Sequence, residues 1–541
     1  MGNPRLLPII AHARAGATAH AWRLLEALSP QGSCADEIAA LRGRLLKDKA
    51  LRAPAEEKAG LLAEAADAYS RAAGSGYATY PLINSATLHL LSGNLQRAQA
   101  TAHLVLERLE AHPEEPETPY YRVATRAEAL LLLSRNHEAS VCFAQAISFA
   151  PRAWEDHAST LRQLKLILEA QGRDAACLDA YRPPRTLHFS GHMSFDPKVE
   201  RRDHLDEKIA EVLNEENIGF AFGALAAGAD IIVAEALLER GAELNAILPG
   251  GPNAFAAASV DPYGPAWRKR FDAVLDQAAT VRTVRPLGAE PDQAMVALAD
   301  EIAMGAAAMN GRRLESSAVQ LLVLPEDSAS ASDRSMDRWA AAGWRQRLIL
   351  APRETRTGAA LPDEHCARRA LAMLALSPAS DTIENQAVVA ALLGLKERLA
   401  ALPSPEVPPY WSEGRLILAY GDVAEAGDTA VWLIAGEAGD AALRIGGHYG
   451  VAASFTEPFS GGERLALDAT GPATAAMDST PPGTACVTED FAAALAAAGP
   501  RHPATEYVGE LDAPDRGPPM GLYALKSYDQ LFQPLGGDDA E

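Results

Sequence analysis

Six strand-like segments alternate with helical patterns between Thr186 and Leu350, and this alternation constrains the fold more than any other feature of the chain. The strand-like segments are Thr186–Ser190, Gly219–Phe222, Glu243–Leu248, Ala279–Val284, Val319–Leu324 and Arg347–Leu350. The helical patterns between them cover Leu205–Asn214, Ala229–Arg240, Ala266–Gln277, Pro291–Ala308 and Ser335–Ala342. Alternating elements with short connections predict a mostly parallel sheet with helices on both faces. Ligands of such folds bind at the carboxyl ends of the strands.

Residues 1–182 have a different pattern, in which one Leu- and Ala-rich helical segment follows another. A helix is predicted over Ala55–Ala73, and three related turns follow it at Leu91–Asn94, Leu133–Asn136 and Ala170–Arg173. We expect each turn to separate two amphipathic helices, so that helical hairpins stack as a solenoid. The small residues Ala86, Ala98, Ala127 and Ala139 would allow close helix packing. An all-helical domain without repeat symmetry is the alternative.

Composition excludes several classes of protein. The 541 residues include 71 acidic and 49 basic side chains, which give a formal charge of −22. An acidic surface repels phosphate backbones, so nucleic acid is not an expected partner. The longest apolar stretch, Gly219–Leu238, contains Asp230 and Glu235. A buried strand followed by a helix explains this stretch better than a membrane span does.

The five cysteines form no C-x-x-C pair, so neither a disulfide framework nor a zinc cluster is expected. The N-terminal apolar run, Leu6–Ala11, is too short for a signal peptide. We therefore expect a cytoplasmic protein with no resident metal or cofactor.

Changes in composition divide the chain into five parts. These are a helical region over 1–182, an α/β region over 183–352, a polar linker over 353–366, a second mixed α/β region over 367–527 and a tail over 528–541. Pro403–Pro405 and Pro408–Pro409 predict loops within the fourth part. The predicted fold class is multidomain, with an N-terminal helical solenoid, a central Rossmann-like parallel sheet and a C-terminal α+β domain.

The segment Gly223–Asp230 follows the second predicted strand and begins a predicted helix. The small residues Gly223, Ala224 and Gly228 would let a phosphate reach backbone N–H groups at the helix N-terminus. Asp230 is placed to cap the helix or to accept a hydrogen bond from a ribose hydroxyl. The spacing matches neither G-x-G-x-x-G nor a P-loop, so a tight turn that binds no ligand is the alternative.

Two other predicted strands also end in glycine turns. Ser190-Gly191-His192 follows the first strand, and Pro249-Gly250-Gly251 follows the third. In a parallel sheet these turns share one edge with Gly223–Asp230, which predicts a binding crevice. His192 would contact a phosphate or act in acid–base chemistry, or it is an ordinary hydrogen-bonded loop residue. The basic segment Trp267–Arg270 directs an arginine to the crevice, or it forms a solvated helix face.

The helical region and its exit resemble the TPR-S type, a tetratricopeptide-like sensor region of bacterial signalling and conflict systems. Ile83–Leu88 and Phe189–His192 carry this resemblance. It implies that the helical region binds a protein partner or reports on one.

Residues 185–352 resemble the SLOG superfamily of Rossmann-like domains at Phe222–Asp230 and Ala234–Ala242. The resemblance implies a domain that senses or processes nucleotide-derived ligands, with Gly191, Gly223, Gly228 and Asp230 lining its pocket. The chain lacks the P-G-G-x-G-T-x-x-E motif of the branch that cleaves nucleoside monophosphates. A sensing pocket is therefore favoured over a hydrolytic one.

Residues 367–527 are similar to a class III nucleotidyl cyclase homology domain. The stretches that carry the similarity are Leu443–Val451, Thr480–Glu489 and Glu506–Glu510. Cyclases of this class need two metal-binding Asp residues, an Asn and an Arg on one helix, and a Lys that reads the base. The corresponding positions here are Ser377, Glu413, Gly471, Ala475 and Asp515. Losing one charge-stabilising group commonly costs about 10²–10³ in rate, so the resemblance implies a catalytically inactive cyclase-like domain.

We thus expect a signalling protein that binds a nucleotide or nucleotide-derived ligand through its central region and self-associates through its C-terminal region. One alternative is a nucleotide hydrolase in which His192, Asp230 or Glu235 acts as acid or base. The others are a residually active cyclase and a scaffold protein in which only the helical region is functional.

Overall fold

The computed structural model describes most of the chain. The described residues are 6–15, 17–28, 35–51, 53–74, 78–112, 118–193, 202–326, 334–352, 368–378, 393–412, 414–435, 443–459, 461–513 and 517–526. They form two compact units. The first contains the helical region up to Pro183 together with Arg313–Glu315, and the second contains Pro184–Arg312 and Ser316–Tyr528. The linker predicted over 353–366 and the tail predicted over 528–541 lie outside the described residues.

The first unit is helical throughout its described residues. Its helices are α1 (Leu7–Arg14), α2 (Thr18–Glu26), α3 (Ala35–Ala50), α4 (Ala55–Ala73), α5 (Tyr80–Leu91), α6 (Leu95–Ala111), α7 (Pro119–Leu132), α8 (Asn136–Phe149) and α9 (Trp154–Ala170), followed by a 3₁₀ helix (Ala176–Tyr181). The prediction of α4 is confirmed at both ends. The four alanines expected to allow close packing, Ala86, Ala98, Ala127 and Ala139, are all buried.

The turn between α5 and α6 shows why its sequence ends one helix and begins another. Gly93 has a φ of +82°, a left-handed conformation that glycine adopts without a steric penalty. Asn94 then caps α6, because its side-chain oxygen accepts a hydrogen bond from Arg97 N at 3.1 Å. The predicted turns at Leu91–Asn94 and Leu133–Asn136 both separate two helices.

The third turn, Ala170–Arg173, was predicted to precede another amphipathic helix, and this prediction is wrong. Gly172 ends α9 with a φ of +68°, and the chain continues as the 3₁₀ helix Ala176–Tyr181. The two prolines that follow at 183 and 184 prevent a longer helix, because proline lacks the backbone donor that helices require. The solenoid itself stays a prediction.

The central region of the second unit contains all six predicted strands. In chain order its elements are β1 (Arg185–Gly191), α10 (Arg202–Glu215), β2 (Ile218–Gly223), α11 (Ala229–Glu239), β3 (Glu243–Pro249), α12 (Pro252–Ser259), a 3₁₀ turn (Asp261–Tyr263), α13 (Pro265–Leu275), β4 (Thr280–Val284), α14 (Gln293–Arg313), β5 (Ala318–Pro325), α15 (Arg334–Ala341) and β6 (Arg345–Ala351). Helix α12 has no counterpart among the predicted elements.

These strands form one parallel sheet in the order β4-β3-β2-β1-β5-β6. Leu187 of β1 pairs with Ala221 of β2 on one side and with Val319 of β5 on the other. Connections therefore run outward from β1 to β4 and then return across the sheet to β5. The prediction of a parallel sheet is confirmed, and its strand order reverses between β1 and β5.

The C-terminal region of the second unit contains a mixed sheet. Its elements are β7 (Arg368–Pro378), α16 (393–399), β8 (Val407–Ser412), β9 (Arg415–Tyr420), α17 (Val423–Ala435), β10 (Leu443–Thr456), β11 (Glu463–Leu465), α18 (Leu467–Asp478), β12 (Thr484–Thr488), α19 (Glu489–Ala497), β13 (Ala504–Leu511) and β14 (Met520–Lys526). The order is β13-β14-β12-β10-β7-β9-β8, with β11 paired to β10. Only the β10–β12 pair in this set is parallel.

Pro403–Pro405 form the predicted loop, but Pro408 and Pro409 do not. They lie within β8, at the edge of the mixed sheet, where the register shifts between Val407 and Tyr410. An edge strand tolerates proline because its outer N–H groups need no partner in the sheet.

Helix α14 packs between the two sheets of the second unit, and none of its residues from Leu298 to Gly311 is exposed. Leu298, Ala299 and Ile302 belong to one apolar cluster that also contains Ile247 of the parallel sheet and Leu374 of the mixed sheet. Helices are apolar around their whole circumference when they are enclosed by protein. The two sheets of this unit therefore share a core.

No helix among the described residues is long and apolar enough to cross a membrane.

Candidate functional site

The carboxyl edge of the parallel sheet is the site that the sequence predicts. The strand order reverses between β1 and β5, which is the position where open α/β sheets bind their ligands. Ser190, Gly191 and His192 lie at the end of β1 on this edge, and all three are partly exposed. The ring of His192 contacts the backbone, with Nδ1 3.0 Å from the carbonyl oxygen of Met193.

The structure brings the β1 turn together with the start of α11. Gly228 pairs with Met193 in an isolated antiparallel bridge, and Ala229 N donates to the carbonyl oxygen of His192 at 3.3 Å. Gly228 has a φ of +126°, which a side chain would strain. Ser190–His192 and Gly228–Asp230 are therefore neighbours, as the sequence predicts.

Close packing accounts for two of the glycines on this edge. A methyl group at Gly191 would overlap the side chain of Ala229. A methyl group at Gly223 would lie 2.7 Å from the ring of Phe189 and from its carbonyl oxygen. Both positions need glycine for the approach of β1, β2 and α11, whether or not a ligand binds.

Several amides around the start of α11 are already engaged by the protein. Ala226 N donates to Asp230 Oδ2 at 3.2 Å, and Ala227 N donates to the carbonyl oxygen of Ser259 at 3.0 Å. Ala224, which precedes them in the turn, is partly buried. Asp230 thus fastens the turn that leads into α11 instead of capping the helix. These amides are not available to a phosphate unless the turn rearranges.

Asp230 is the most unusual group of the site. Its side chain is buried, and its Oδ1 has no hydrogen-bond partner of ordinary geometry. Burial raises the pKa of Asp230 to about 8, although hydrogen bonds from the amides of Ala226 and Gly191 act in the opposite direction. A carboxyl group with this pKa holds its proton at neutral pH.

The third glycine turn, Pro249-Gly250-Gly251 after β3, contacts the end of β4 and the chain beyond it. Pro249 and Gly250 are buried, and Gly250 N donates to the carbonyl oxygen of Val284 at 3.0 Å. A methyl group at Gly250 would overlap the carbonyl oxygen of Ala289. This turn therefore packs against the chain that follows β4.

The basic segment does not direct an arginine to the crevice. Arg270 forms two hydrogen bonds with Glu235 of α11, at 2.7 and 2.5 Å, and its guanidinium lies over Trp267. Arg268 pairs with Asp261 and Asp272 on the surface. The ion pair also removes Glu235 from the candidate acids and bases.

A chain of hydrogen-bonded polar side chains lies beneath the site, and the sequence did not predict it. His188 of β1 is fully buried; its Nε2 lies 3.1 Å from Asp300 Oδ1, and Gln320 Nε2 donates to its Nδ1 at 3.2 Å. Gln346 Nε2 in turn donates to Gln320 Oε1 at 2.5 Å. The alternation of His188 and Ser190 on one face of β1 is the only sequence signal, because Asp300 and Gln320, the partners of His188, are more than 100 residues away in the chain.

The residue after Asp300 reaches the other sheet. Glu301 accepts a hydrogen bond from Tyr449 of β10 at 3.0 Å and also pairs with Arg338. Burial raises the pKa of Glu301, and Arg338 and Tyr449 oppose that shift. Helix α14 thus connects the buried polar chain below β1 with the mixed sheet.

The cyclase-like positions carry no ionisable side chain where the structure describes them. Ser377 ends β7, where its Oγ donates to the carbonyl oxygen of Pro378 at 3.2 Å. Gly471 and Ala475 lie on α18. Glu413 and Asp515 lie outside the described residues. Among the described residues, no cluster of three or more His, Cys, Asp or Glu side chains could hold a metal ion.

Comparison with known proteins identifies similarity in two parts of the molecule. A family model described as Tetratricopeptide Repeats-Sensor, TPR-S, matches residues 6–89. No curated protein matches the chain. The TPR-S resemblance is therefore confirmed for the first part of the helical region.

Among solved structures, the chain is similar to the adenylyl cyclase CyaB from P. aeruginosa, at 10% identity and a TM-score of 0.25, over 30% of this chain and 96% of that one. It is also similar to the guanylate cyclase domain of RhGC from Catenaria anguillulae, at 13% identity and a TM-score of 0.26, over 29% and 96%. An adenylate cyclase from Trypanosoma brucei gives 10% identity and a TM-score of 0.25, over 29% and 87%. Likeness at this level carries no conclusion about activity.

Proposed function

We propose that this protein is a ligand-responsive signalling protein that binds a nucleotide or nucleotide-derived molecule at the carboxyl edge of its parallel sheet. The observation that carries the proposal is the reversal of strand order between β1 and β5, beside the partly exposed Ser190–His192 and the buried Asp230. Such reversals form the ligand crevices of open α/β sheets. The resemblance of this region to SLOG domains points to the same class of ligand.

The contacts at this edge favour recognition of the sugar or base over recognition of a phosphate. The amides of Ala226, Ala227 and Ala229 already have protein acceptors. Ser190 is polar and partly exposed, which suits a hydrogen bond to a hydroxyl or amino group of a ligand, and the partly exposed ring of His192 suits contact with a base. Because Asp230 holds its proton at neutral pH, it would not repel a nearby phosphate.

The other two regions would transmit the response. The TPR-S match supports a helical region that binds a protein partner, and the mixed-sheet region would regulate or self-associate. Asp300 and Glu301, adjacent on α14, contact His188 below the proposed site and Tyr449 of the mixed sheet. A ligand that shifts β1 would therefore act on the mixed sheet through α14.

Calorimetric titration of the full chain with mono-, di- and cyclic nucleotides, NAD and ADP-ribose tests the proposal. We expect at least one of them to bind, and His192→Ala to weaken binding about tenfold, because the ligand loses its contact with the ring of His192. The matched control is His204→Ala, since His204 lies on α10 with 82% of its side chain exposed. Absence of binding by the whole panel, or equal binding by both variants, would contradict the proposal.

We further propose that the mixed-sheet region does not catalyse nucleotide cyclisation, because Ser377, Gly471 and Ala475 supply none of the charged or amide groups that the reaction requires. Incubation with ATP or GTP and manganese should give no cyclic nucleotide.

The second candidate function is hydrolysis of a nucleotide at the edge of the parallel sheet. The raised pKa of Asp230, beside the His192 turn, favours this candidate because a protonated carboxyl group can act as a general acid. Chromatography of the same mixtures, with ADP-ribose and nucleoside monophosphates included, would reveal hydrolysis products.

A further inference from the structure

A separate cavity lies wholly within the helical unit, outside the residues that match TPR-S. It has a volume of about 260 Å³. Its walls come from α7, α8, α9 and the 3₁₀ helix that follows them. The 3₁₀ helix that replaces the expected repeat therefore forms one side of this cavity.

The interior of the cavity is apolar. Leu131, Phe143, Leu164 and Leu168 line it, and each is at least 95% buried. Tyr181 of the 3₁₀ helix meets the ring of Phe143 edge-on, with centroids 5.1 Å apart, and its hydroxyl lies 2.8 Å from Ser140 Oγ. These contacts hold the 3₁₀ helix against α8, so the cavity is preformed.

One cation lies on the rim. Arg173 lines the cavity, and its Nη1 donates to Asn136 Oδ1 at 2.5 Å and to Gln171 Oε1 at 3.4 Å. Both acceptors are neutral, and no carboxylate of the described residues lies within ion-pair distance of Arg173. The neighbouring Arg135 differs, because it pairs with Glu138 at 2.6 Å.

The guanidinium of Arg173 therefore carries a charge that no carboxylate of the described residues balances. The Nε and Nη2 groups of Arg173 make no hydrogen bond within the described residues, and a planar pair of such donors binds a carboxylate in a bidentate manner. An apolar chamber with a few polar groups at its mouth is the usual form of a small-molecule site.

We propose that this cavity binds a small amphipathic carboxylate, with its apolar body against Phe143, Leu164 and Leu168 and its carboxylate on Arg173. The cavity is smaller than the ~300–1,000 Å³ typical of sites for drug-sized ligands, so the ligand is a medium-chain acid or a single-ring acid. This proposal concerns the helical unit and does not depend on the nucleotide site.

Titration of the full chain with octanoate tests the proposal, with octanamide and acetate as paired probes. Octanamide keeps the apolar body without the charge, and acetate keeps the charge without the apolar body. We expect octanoate to bind at least tenfold more tightly than either, because only octanoate satisfies both parts of the cavity. This comparison uses the unaltered protein and so does not depend on the folding of a variant.

Arg173→Gln should weaken octanoate binding about tenfold or more. Arg135→Gln should leave it unchanged, because Arg135 lies at the start of α8 and does not line the cavity. Cys177 provides a second readout, because it is exposed and lines the cavity, whereas Cys142 does not line it. Bound octanoate should slow alkylation of Cys177 relative to Cys142, as measured by peptide mass spectrometry. No octanoate binding at millimolar concentration, equal binding of octanamide, or unchanged binding by Arg173→Gln in a folded variant would overturn the proposal.

Discussion

Asp230 shows how a single residue links the fold of this protein to its candidate site. Its carboxyl group accepts a hydrogen bond from Ala226 N and so fastens the turn between β2 and α11. The same burial that orders this turn raises the pKa of the group from 3.8 to about 8. At neutral pH the folded state therefore keeps a proton that the unfolded chain releases.

This difference predicts how stability depends on pH. Between pH ~4 and pH ~8 the unfolded state binds fewer protons at Asp230 than the folded state does, so the contribution of Asp230 to stability falls as the pH rises through this window. Asp230→Asn removes the titration and should stabilise the protein relative to wild type at pH 8.5, by an amount on the order of 1 kcal/mol or more, but have little effect near pH 4.

Urea unfolding of both proteins at pH 5 and pH 8.5 measures this effect. Asp276→Asn is the control, because Asp276 lies exposed at the end of α13. If the difference between Asp230→Asn and wild type is the same at both pH values, the carboxyl does not titrate in this range.

At the scale of elements, α14 decides how the second unit is assembled. A methyl group at Gly305 would overlap the carbonyl oxygen of Ala493 in α19, so these two helices touch through their backbones. The apolar residues of α14 pack with both sheets. On the same helix, Asp300 contacts His188 of the parallel sheet and Glu301 contacts Tyr449 of the mixed sheet.

Gly305→Ala should therefore separate α14 from α19 and destabilise the protein by about 1–3 kcal/mol, because close-packed backbones cannot accommodate an added methyl group. Gly60→Ala is the matched helical control. Nothing lies within 4 Å of a methyl group at Gly60, which is exposed on α4. The control should be stabilised by about 0.5–1 kcal/mol, since alanine favours helix over glycine. Equal thermal midpoints for the two variants would contradict the packing at Gly305.

At the scale of the whole molecule, ion pairs connect the two sheets of the second unit. Arg282 of β4 lies 2.8 Å from Glu489 Oε1 and also pairs with Asp490, both of them on α19. The side chains of Arg282 and Asp490 are 21% and 13% exposed, so water screens this pair only weakly.

Arg282→Met should destabilise the protein by about 3 kcal/mol, because it leaves Asp490 largely buried without its partner. Arg268→Met, which breaks the more exposed pairs with Asp261 and Asp272, should cost less than about 1 kcal/mol. A double-mutant cycle with Asp490→Asn measures the coupling. Additive effects of the two substitutions would show that the pair does not hold the sheets together.

Much of the architecture was predictable because it depends on local sequence. The six strands of the parallel sheet alternate with helices over short distances, and each strand is marked by its own apolar run. Gly93 and Asn94 end and begin helices through the conformations of one or two residues. The proximity of Ser190–His192 to Gly228–Asp230 follows from the general geometry of parallel strands.

The chemistry of the site was less predictable because it depends on contacts between distant residues. The partners of His188 and Tyr449 come from α14, more than 100 residues away in each case. The basic segment Trp267–Arg270 could direct an arginine to the crevice, but Arg270 pairs with Glu235 instead. The prolines at 408 and 409 suggest a loop, but they lie in a strand because that strand forms the edge of its sheet.

The sequence by itself determined the helical first region, the parallel sheet and the placement of glycine turns along one edge, because periodicity and turn chemistry act over a few residues. Tertiary structure alone decided that the glycines serve close packing, that Asp230 is buried and neutral, and that the two sheets share one core around α14. These properties arise from burial and from pairing between distant segments, which change the space and the electrostatic environment around a residue without changing the local pattern in which it occurs.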